Sequence, residues 1–271
     1  MSAEIAWFAL ALVGAGLGAG FVGGLFGIGG GVVVVPALYL VFSALGVDEA
    51  VRMHVAVATS LSTIVSTSWR SLSTHMKAGA VDVSVLKSWG PWITLGALIG
   101  AGVAGLVNTE TLMVVFGAGL LLIAAQMGLG NPNWRMWPGL PTGAPRALVA
   151  SAIGLLSAMM GIGGGAFGVT VMTICGRPIH QAVATASGFG AAIALPAALG
   201  YIIAGWGRSG LPPYSLGFVS VPGFIVLALL TALTAPVGAR LAHRLPQLTL
   251  KRSFAVLLAL VALNMLREAF S

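Results

Sequence analysis

Charged side chains are scarce in this sequence. Asp, Glu, Lys and Arg make up 7% of its 271 residues and hydrophobic residues make up 58%, whereas a soluble domain carries about 25% charged residues. This composition excludes an ordinary soluble protein and predicts an all-α, multi-pass membrane protein. The net charge of +7 comes from basic residues between apolar segments. We therefore interpret it as loop charge beside a lipid bilayer rather than as a nucleic-acid-binding surface.

Cysteine and catalytic motifs are also sparse. The chain has one cysteine, Cys175, which excludes an intrachain disulfide. It contains no His-Glu-x-x-His motif, no Gly-x-Ser-x-Gly elbow and no glycine-rich loop ending in Gly-Lys-Ser or Gly-Lys-Thr. These absences argue against an intramembrane enzyme and against a pump driven by nucleotide binding to this chain. We predict a protein that is not an enzyme, with neither cofactor nor metal.

Glycine, in contrast, is abundant and concentrated in one early stretch. Six of the nine residues from Gly23 to Gly31 are glycine, and each costs about 1 kcal/mol relative to alanine inside a helix. We therefore expect the helix to break near residues 27–31. Backbone groups freed inside a bilayer must be satisfied by protein, water or a ligand, so this break is a candidate binding site.

The same stretch occurs twice. Residues 161–165 repeat the Gly-Ile-Gly-Gly-Gly of residues 27–31 letter for letter, and His180-Gln-Ala-Val-Ala-Thr185 repeats His54-Val-Ala-Val-Ala-Thr59 with one difference. Two matches in the same order indicate an internal duplication. Secondary transporters are commonly built in this way, with broken helices in corresponding positions of the two halves pointing to the binding site.

The duplication divides the chain into one membrane domain with two repeats. We place the first repeat at residues 1–128, a proline-rich linker at 129–145 and the second repeat at 146–271. Each repeat contains five apolar segments, and a basic loop at 70–87 follows the third. The predicted segments are 5–22, 28–45, 53–69, 88–107, 110–128, 146–160, 163–176, 180–204, 217–239 and 249–268.

The basic residues favour an inverted arrangement of these repeats. If the pair of segments around each glycine run returns to its own side of the membrane, ten basic residues face the cytoplasm and three face outward. A parallel arrangement gives seven and six. The positive-inside rule favours the first, with each pair a hairpin that stops near mid-membrane. The predicted cytoplasmic residues are Arg70, Lys77, Lys87, Arg135, Arg146, Arg177, Arg240, Arg244, Lys251 and Arg252, and the outward ones are Arg52, Arg208 and Arg267.

The doubled glycine run, the doubled His-x-Ala-Val-Ala-Thr segment and the basic stretch from Arg70 to Asp82 resemble the sulfite exporter TauE/SafE family. This family is also called the four-toluenesulfonate uptake permease family. The resemblance covers about residues 8–266. It implies a carrier of a small sulfur-containing anion, such as sulfite, sulfoacetate or a related organosulfonate, in the bacterial inner membrane. The second copy departs from the first where Ala186 replaces Ser60, so the two halves cannot bind a ligand identically.

The glycine runs are our main candidates for anion binding. Glycines that open a helix present backbone N–H groups, and the helix N-terminus adds about half a positive charge. A sulfonate or sulfite supplies several acceptor oxygens for such a nest. The alternative is that small residues let helices pack closely. The candidates are Gly27, Gly29, Gly30, Gly31, Gly161, Gly163, Gly164 and Gly165.

Hydroxyls and histidines supply further candidates. Thr59, Ser60 and the matching Thr185 are interpreted as part of the substrate pathway, with interhelical hydrogen bonding or bonds to the helix's own carbonyls as the alternative. Thr59, Ser62, Thr63 and Ser66 form a polar stripe along one helix face. His54 and His180 are candidates for proton coupling, and a helix cap or interfacial hydrogen bonding is their alternative role.

These features predict a secondary transporter that binds a small sulfur-containing anion near mid-membrane. An anion channel of the same architecture is the alternative, and a structural membrane subunit is a third. The expected partners are the anion and the lipid bilayer, with no nucleic acid. The sequence leaves open the exact substrate, the transport direction, the coupling ion, homo-oligomer formation and whether the glycine-run hairpins cross the full membrane or half of it.

Overall fold

The computed structural model describes residues 10, 12–22, 30–129, 139–242 and 247–270. This described part contains ten α-helices and one short β-hairpin. The helices are α1 (Leu12–Val22), α2 (Gly31–Ala44), α3 (Glu49–Lys77), α4 (Val83–Ala104), α5 (Thr109–Leu129), α6 (Gly143–Met160), α7 (Gly165–Ile174), α8 (Ile179–Ala204), α9 (Val221–Ala242) and α10 (Gln247–Ala269). The strands are β1 (Ser215–Leu216) and β2 (Val219–Ser220).

The all-α, multi-pass prediction is confirmed. Three helices of the described chain have the length and apolarity to cross a bilayer by themselves: Thr109–Gly128, Gly143–Met160 and Ile179–Ala204. Helix α7 has 10 residues, which corresponds to about 15 Å, or half the hydrocarbon thickness. It cannot span the membrane alone. Most of the predicted linker at 129–145 lies outside the described residues.

The predicted loop at 70–87 is wrong at both ends. Helix α3 continues through this basic stretch to Lys77, and α4 already begins at Val83. Arg70–Lys77 is polar but rich in good helix formers, and polarity alone does not end a helix. The helix ends where Gly79 takes a left-handed φ of 67°. There Ala80 N–H donates to His75 O at 3.1 Å, which closes a Schellman motif.

The segment predicted to begin at residue 217 starts later, at Val221. Before it, β1 and β2 pair antiparallel, with Ser215 opposite Ser220. Gly217 adopts a φ of 55° in the turn, and Phe218 N–H donates to Tyr201 O at 3.3 Å. Pro36 and Pro196 lie within α2 and α8, and neither ends its helix.

Helices α3 and α8 pack against each other at the centre of the bundle, and both are extensively buried. The remaining contacts come in matching pairs: α2 packs on α3 and α7 on α8, whereas α4 packs on α8 and α9 on α3. Helices α5 and α10, which occupy corresponding positions in the two halves, pack together. The two halves therefore share one interior, and neither forms a separate core.

Glycines allow the closest of these packings. A Cβ at Gly100 would lie 2.5 Å from Leu155 O, and one at Gly154 would meet the Ile93 carbonyl. The backbones of α4 and α6 thus touch, as small residues allow in membrane helices. The contacts advance in the same direction along both helices, so α4 and α6 run parallel. Gly16 and Gly20 of α1 pack in the corresponding way on α9, against Leu230 and Thr231.

The two helices that leave the glycine runs end at opposite ends of the bundle. Helix α7 leads to Arg177, which pairs with Asp82 at the start of α4. Helix α2 leads to the α2–α3 loop, where Gly210 packs on Asp48 and where Thr109, at the start of α5, donates to Glu49 O at 2.8 Å. Since α6 runs parallel to α4, the α6–α7 pair begins and ends at the same end.

Candidate functional site

The second glycine run forms a break of four residues between α6 and α7. Gly161, with a φ of 67°, is the left-handed residue that closes α6. Ile162 N–H donates to Ser157 O at 3.0 Å and Gly161 N–H to Ala158 O at 3.4 Å, which is the pattern of a Schellman motif. Gly161 is therefore required by the way in which the helix ends.

Helices α2 and α7 start alike. Gly30 precedes α2 with a φ of 73°, and Gly164 precedes α7 with a φ of 64°. This left-handed conformation favours glycine over every residue that carries a Cβ. Beyond each glycine, the first amides of the helix have no partner within that helix. Gly165 is the first residue of α7 and supplies one of them, whereas Gly27 and Gly29 lie outside the described residues.

The first residue of α2 touches the second glycine run. A Cβ at Gly31 would lie 2.6 Å from Gly161 O and 3.2 Å from Ile162 Cα. A Cβ at Gly161 would in turn lie 2.8 Å from Val35 Cγ2. The helix N-terminus of the first half is therefore packed directly on the break of the second half. Gly163 is equally crowded, because its Cβ would lie 2.7 Å from Ile64 Cγ2.

One face of α3 lies along the second break. Ser60 Oγ donates to Gly161 O at 2.9 Å, Ile64 fills the space between Gly31 and Gly163, and Ser68 lies one turn further on, beside Gly190. These three α3 residues are spaced four apart and so share a helix face. On α8 the corresponding residues are Ala186, Gly190 and Ala194, none of which carries a hydroxyl.

Thr59 and Thr185 occupy matching positions and make matching bonds. Thr59 Oγ1 accepts from Ser220 N–H at 3.0 Å, and Thr185 Oγ1 accepts from Asp82 N–H at 2.9 Å. Ser220 and Asp82 immediately precede α9 and α4. Each threonine is fully buried, and each holds the start of a helix that belongs to the other half.

The polar stripe on α3 bonds mainly to its own helix. Ser62 Oγ donates to Ala58 O at 3.0 Å, Thr63 Oγ1 to Thr59 O at 3.1 Å and Ser66 Oγ to Thr63 O at 2.9 Å. Such bonds satisfy the hydroxyls without any ligand. The geometry favours a structural role for this stripe.

The two histidines of the repeat have different surroundings. His54 is 4% exposed, its Nε2 lies 3.0 Å from Ala104 O and 3.1 Å from Val107 O, and its ring stacks on Phe218 at 5.0 Å. Two carbonyl acceptors at Nε2 require the proton on that nitrogen, and no partner is found for Nδ1 among the described residues. His180 is exposed at the start of α8.

A charged contact joins α4 to the loop between α7 and α8. Arg177 Nη2 lies 3.3 Å from Asp82 Oδ2, with side chains 40% and 11% exposed. The Ser84 hydroxyl, which donates to Asp82 at 2.6 Å, is the main reason that the pKa of this carboxyl lies below its usual value. At the opposite end, the residue corresponding to Asp82 is Ser220, which carries no charge.

The described part of the interior contains no fixed charge. Among the described residues, no Lys, Arg, Asp or Glu belongs to the buried class. An anion placed at the junction of the breaks would therefore meet backbone amides and hydroxyls as donors. Sequence reasoning assigned no site role to Ile64, Ser68, Asp82 or Ser220. The four-residue spacing from Ser60 was the available signal for the first two, and the helix start after Asp82 for the third.

Comparisons with known proteins agree with one another. The chain is 33% identical over 247 residues to a probable membrane transporter protein of Haemophilus influenzae, a match that covers 91% of this chain and 94% of the relative. A probable membrane transporter protein of Methanocaldococcus jannaschii is 26% identical over 254 residues, 91% of each chain. No solved structure matches. The family model "Sulfite exporter TauE/SafE" matches residues 12–265, and the chain belongs to that family.

Proposed function

We propose that this protein is a secondary transporter that moves a small sulfur-containing anion across the bacterial inner membrane. Sulfite, sulfoacetate and related organosulfonates are the substrates that fit the family description and the donor chemistry of the breaks. The family and its relatives are named as transporters, which supports a transport protein rather than an enzyme. We place binding where Gly31 meets Gly161, with Gly30, Gly31, Gly161, Gly163, Gly164 and Gly165 lining the site. Gly27 and Gly29, which lie outside the described residues, are included as candidates from the sequence.

One observation carries the proposal: Gly31, the first residue of α2, packs on the carbonyl of Gly161 in the other half. Two helix N-termini with left-handed glycines therefore lie beside one junction, in an interior without buried charge among the described residues. The N-terminal ends of α2 and α7 carry partial positive charge. Ser60 borders this junction through its bond to Gly161 O, and Thr59 and Thr185 on α3 and α8 are included as candidate pathway residues.

We further propose that the repeats, 1–128 and 146–271, are inverted. Helices α2 and α7 lead from the junction to opposite ends of the bundle, which supports this arrangement. Cysteine labelling tests it. In a background without the buried Cys175, Arg208→Cys should be labelled only from outside and Lys77→Cys only from inside, because both side chains are exposed. Labelling of both positions from the same side would contradict the inverted topology.

Sulfite uptake into proteoliposomes distinguishes transport by alternating access from conduction by a channel. The uptake rate of a carrier saturates as the sulfite concentration rises. Its uptake of radiolabelled sulfite increases when unlabelled sulfite is loaded inside the liposomes. A channel shows no such trans-stimulation. Empty liposomes and liposomes with acetate inside are the controls. Uptake without saturation or trans-stimulation would favour the channel, and absence of sulfite and sulfoacetate flux or binding would reject the proposed function.

A further inference from the structure

The buried serine and threonine hydroxyls of the described chain separate into two groups. Seven belong to residues with a hydrogen bond in the structure: Thr59, Ser60, Thr63, Thr109, Thr185, Ser220 and Thr231. Ser157 Oγ is fully buried without a partner, and Ser68, which is 9% exposed, makes no hydrogen bond with the described residues. A buried hydroxyl without a partner loses its bonds to water and gains nothing in return. Each of the two therefore requires an explanation.

Both unpartnered serines lie near the second break, but their surroundings differ. Ser157 precedes Gly161 by one turn of α6 and is fully enclosed, with an exposed fraction of 0%. Ser68 is 9% exposed. A Cβ on Gly190 would meet Ser68 Oγ and would lie 2.9 Å from Gly163 O. The Ser68 hydroxyl thus lies beside Gly190, near the Gly163 carbonyl of the break, and the residue keeps a small accessible surface.

No equivalent hydroxyl exists in the other half. The residue of α8 that corresponds to Ser68 is Ala194, just as Ala186 corresponds to Ser60. The Ser60 hydroxyl already donates to the Gly161 carbonyl and so holds the break in place. The Ser68 hydroxyl makes no such bond with the described residues and can donate to a ligand. This difference gives the junction a polar side that only α3 supplies.

We propose that Ser68 donates a hydrogen bond to an oxygen of the transported anion at the junction of the glycine runs. This inference rests on the proposed function and extends it to a specificity residue outside both glycine runs. The ligand class is an anion with several acceptor oxygens, such as sulfite or an organosulfonate. The α2 and α7 N-termini provide partial positive charge, and Ser68 provides a directed donor.

The test uses the purified full-length protein in lipid nanodiscs, with sulfite as the ligand. Binding affinity and the melting temperature without ligand are measured for the wild type, Ser68→Ala and Ser157→Ala. Ser68→Ala should weaken sulfite binding by about 10- to 150-fold, the loss expected for one hydrogen bond to a charged ligand. Its melting temperature should be unchanged or higher, because the substitution removes no hydrogen bond to the described residues.

Ser157→Ala is the matched control, since it removes the other unpartnered buried hydroxyl. It should raise or preserve the melting temperature and leave sulfite affinity unchanged. Unchanged affinity in Ser68→Ala would overturn the assignment while leaving the proposed function intact, because the wild type still binds. A lower melting temperature of Ser68→Ala would show a structural hydroxyl and also overturn it. A wild type that binds neither sulfite nor sulfoacetate would reject the proposed function and this inference together.

Discussion

Helices α3 and α8 occupy corresponding positions, yet they present different chemistry to the glycine runs. Helix α3 places Ser60, Ile64 and Ser68 along the second break. The corresponding α8 residues are Ala186, Gly190 and Ala194. In contrast, Thr59 and Thr185 make the same bond to the start of the opposite half's helix. The duplicated backbone keeps its framework bonds, whereas the side chains near the junction differ between halves.

The histidines extend this difference to the ends of α3 and α8. Helix α3 starts five residues before His54, whereas α8 starts one residue before His180. The extra turn on α3 places His54 inside the bundle against the end of α4, and the missing turn leaves His180 exposed. Similar sequence segments therefore acquire different roles through helix length alone.

The largest expected effect is the difference in stability between variants of the two histidines. His54→Ala removes a stacked ring and the donor to two carbonyls, so it should lower the free energy of unfolding by about 2–4 kcal/mol. His180→Ala changes an exposed side chain and should shift the free energy of unfolding by less than about 0.5 kcal/mol. Melting temperatures of the two purified variants measure the difference. Equal destabilisation would contradict the unequal burial described above.

The next effect concerns the glycines that start α2 and α7. Gly164→Ala should weaken sulfite binding by about 10- to 150-fold. The added side chain would keep the anion from one backbone amide at the start of α7, and this is the loss expected for one such contact to a charged ligand. A Cβ there also costs about 1–2 kcal/mol of backbone strain and meets the Ile193 side chain. In Gly30→Ala the left-handed backbone is strained in the same way. We expect this variant to lose less sulfite affinity than Gly164→Ala, because the polar side of the junction, which α3 supplies, borders Gly163 in the second run.

Binding and melting temperature must be measured on the same samples of both glycine variants. If both lose stability while their sulfite affinity stays normal, the glycines serve helix packing and the anion binds elsewhere. If Gly30→Ala loses more affinity than Gly164→Ala, the first run dominates binding, contrary to the expectation from α3.

A smaller effect separates Ser60 from its counterpart. Ser60→Ala leaves the buried Gly161 carbonyl without its hydroxyl donor and should destabilise the protein by about 1–2 kcal/mol. Ser66→Ala is the matched control on the same helix, because Ser66 is exposed and bonds only to Thr63 O. Thermal unfolding reads out both. A Ser60→Ala variant as stable as Ser66→Ala would show that the carbonyl finds another donor.

The smallest expected effect concerns the ion pair between Asp82 and Arg177, which has no charged counterpart at Ser220. Because the pKa of Asp82 is lowered in the folded protein, its contribution to stability is fully present above the unfolded value of about 3.9. It is lost as the pH falls through the lower folded value. Arg177→Gln should cost about 0.2–1 kcal/mol at neutral pH, because the Arg177 side chain is 40% exposed and its pairing is screened by water. Melting curves between pH 7 and pH 3 should show a smaller acid-dependent loss for Asp82→Asn than for the wild type.

The sequence predicted the helical architecture well because its main signals are local. Apolar runs locate helices to within a few residues, and the left-handed glycines appear as the doubled run itself. Helix α3 was cut short because the polar stretch Arg70–Lys77 looks like a loop when only hydropathy is considered. Its true end is marked by Gly79 and by Asp82, which caps the next helix.

Long-range contacts explain what the sequence could not provide. The bond from Ser220 N–H to Thr59 joins residues far apart in sequence, and the β-hairpin that positions Ser220 is only two residues per strand. The contact between Gly31 and Gly161 depends on how the two halves pack. Sequence alone therefore offered the glycine runs and Ser60 as candidates, but it could not show that Ile64 and Ser68 share their surroundings.

The backbone contacts between α4 and α6, and between α1 and α9, bear on whether one half of the chain can fold alone. In each pair, one half supplies a helix whose bare glycine face is covered only by the other half. A polypeptide of one repeat would expose those faces to lipid and would lack a partner for its third helix. Each half therefore needs the other to cover its glycine face, and we expect neither half to fold without the other.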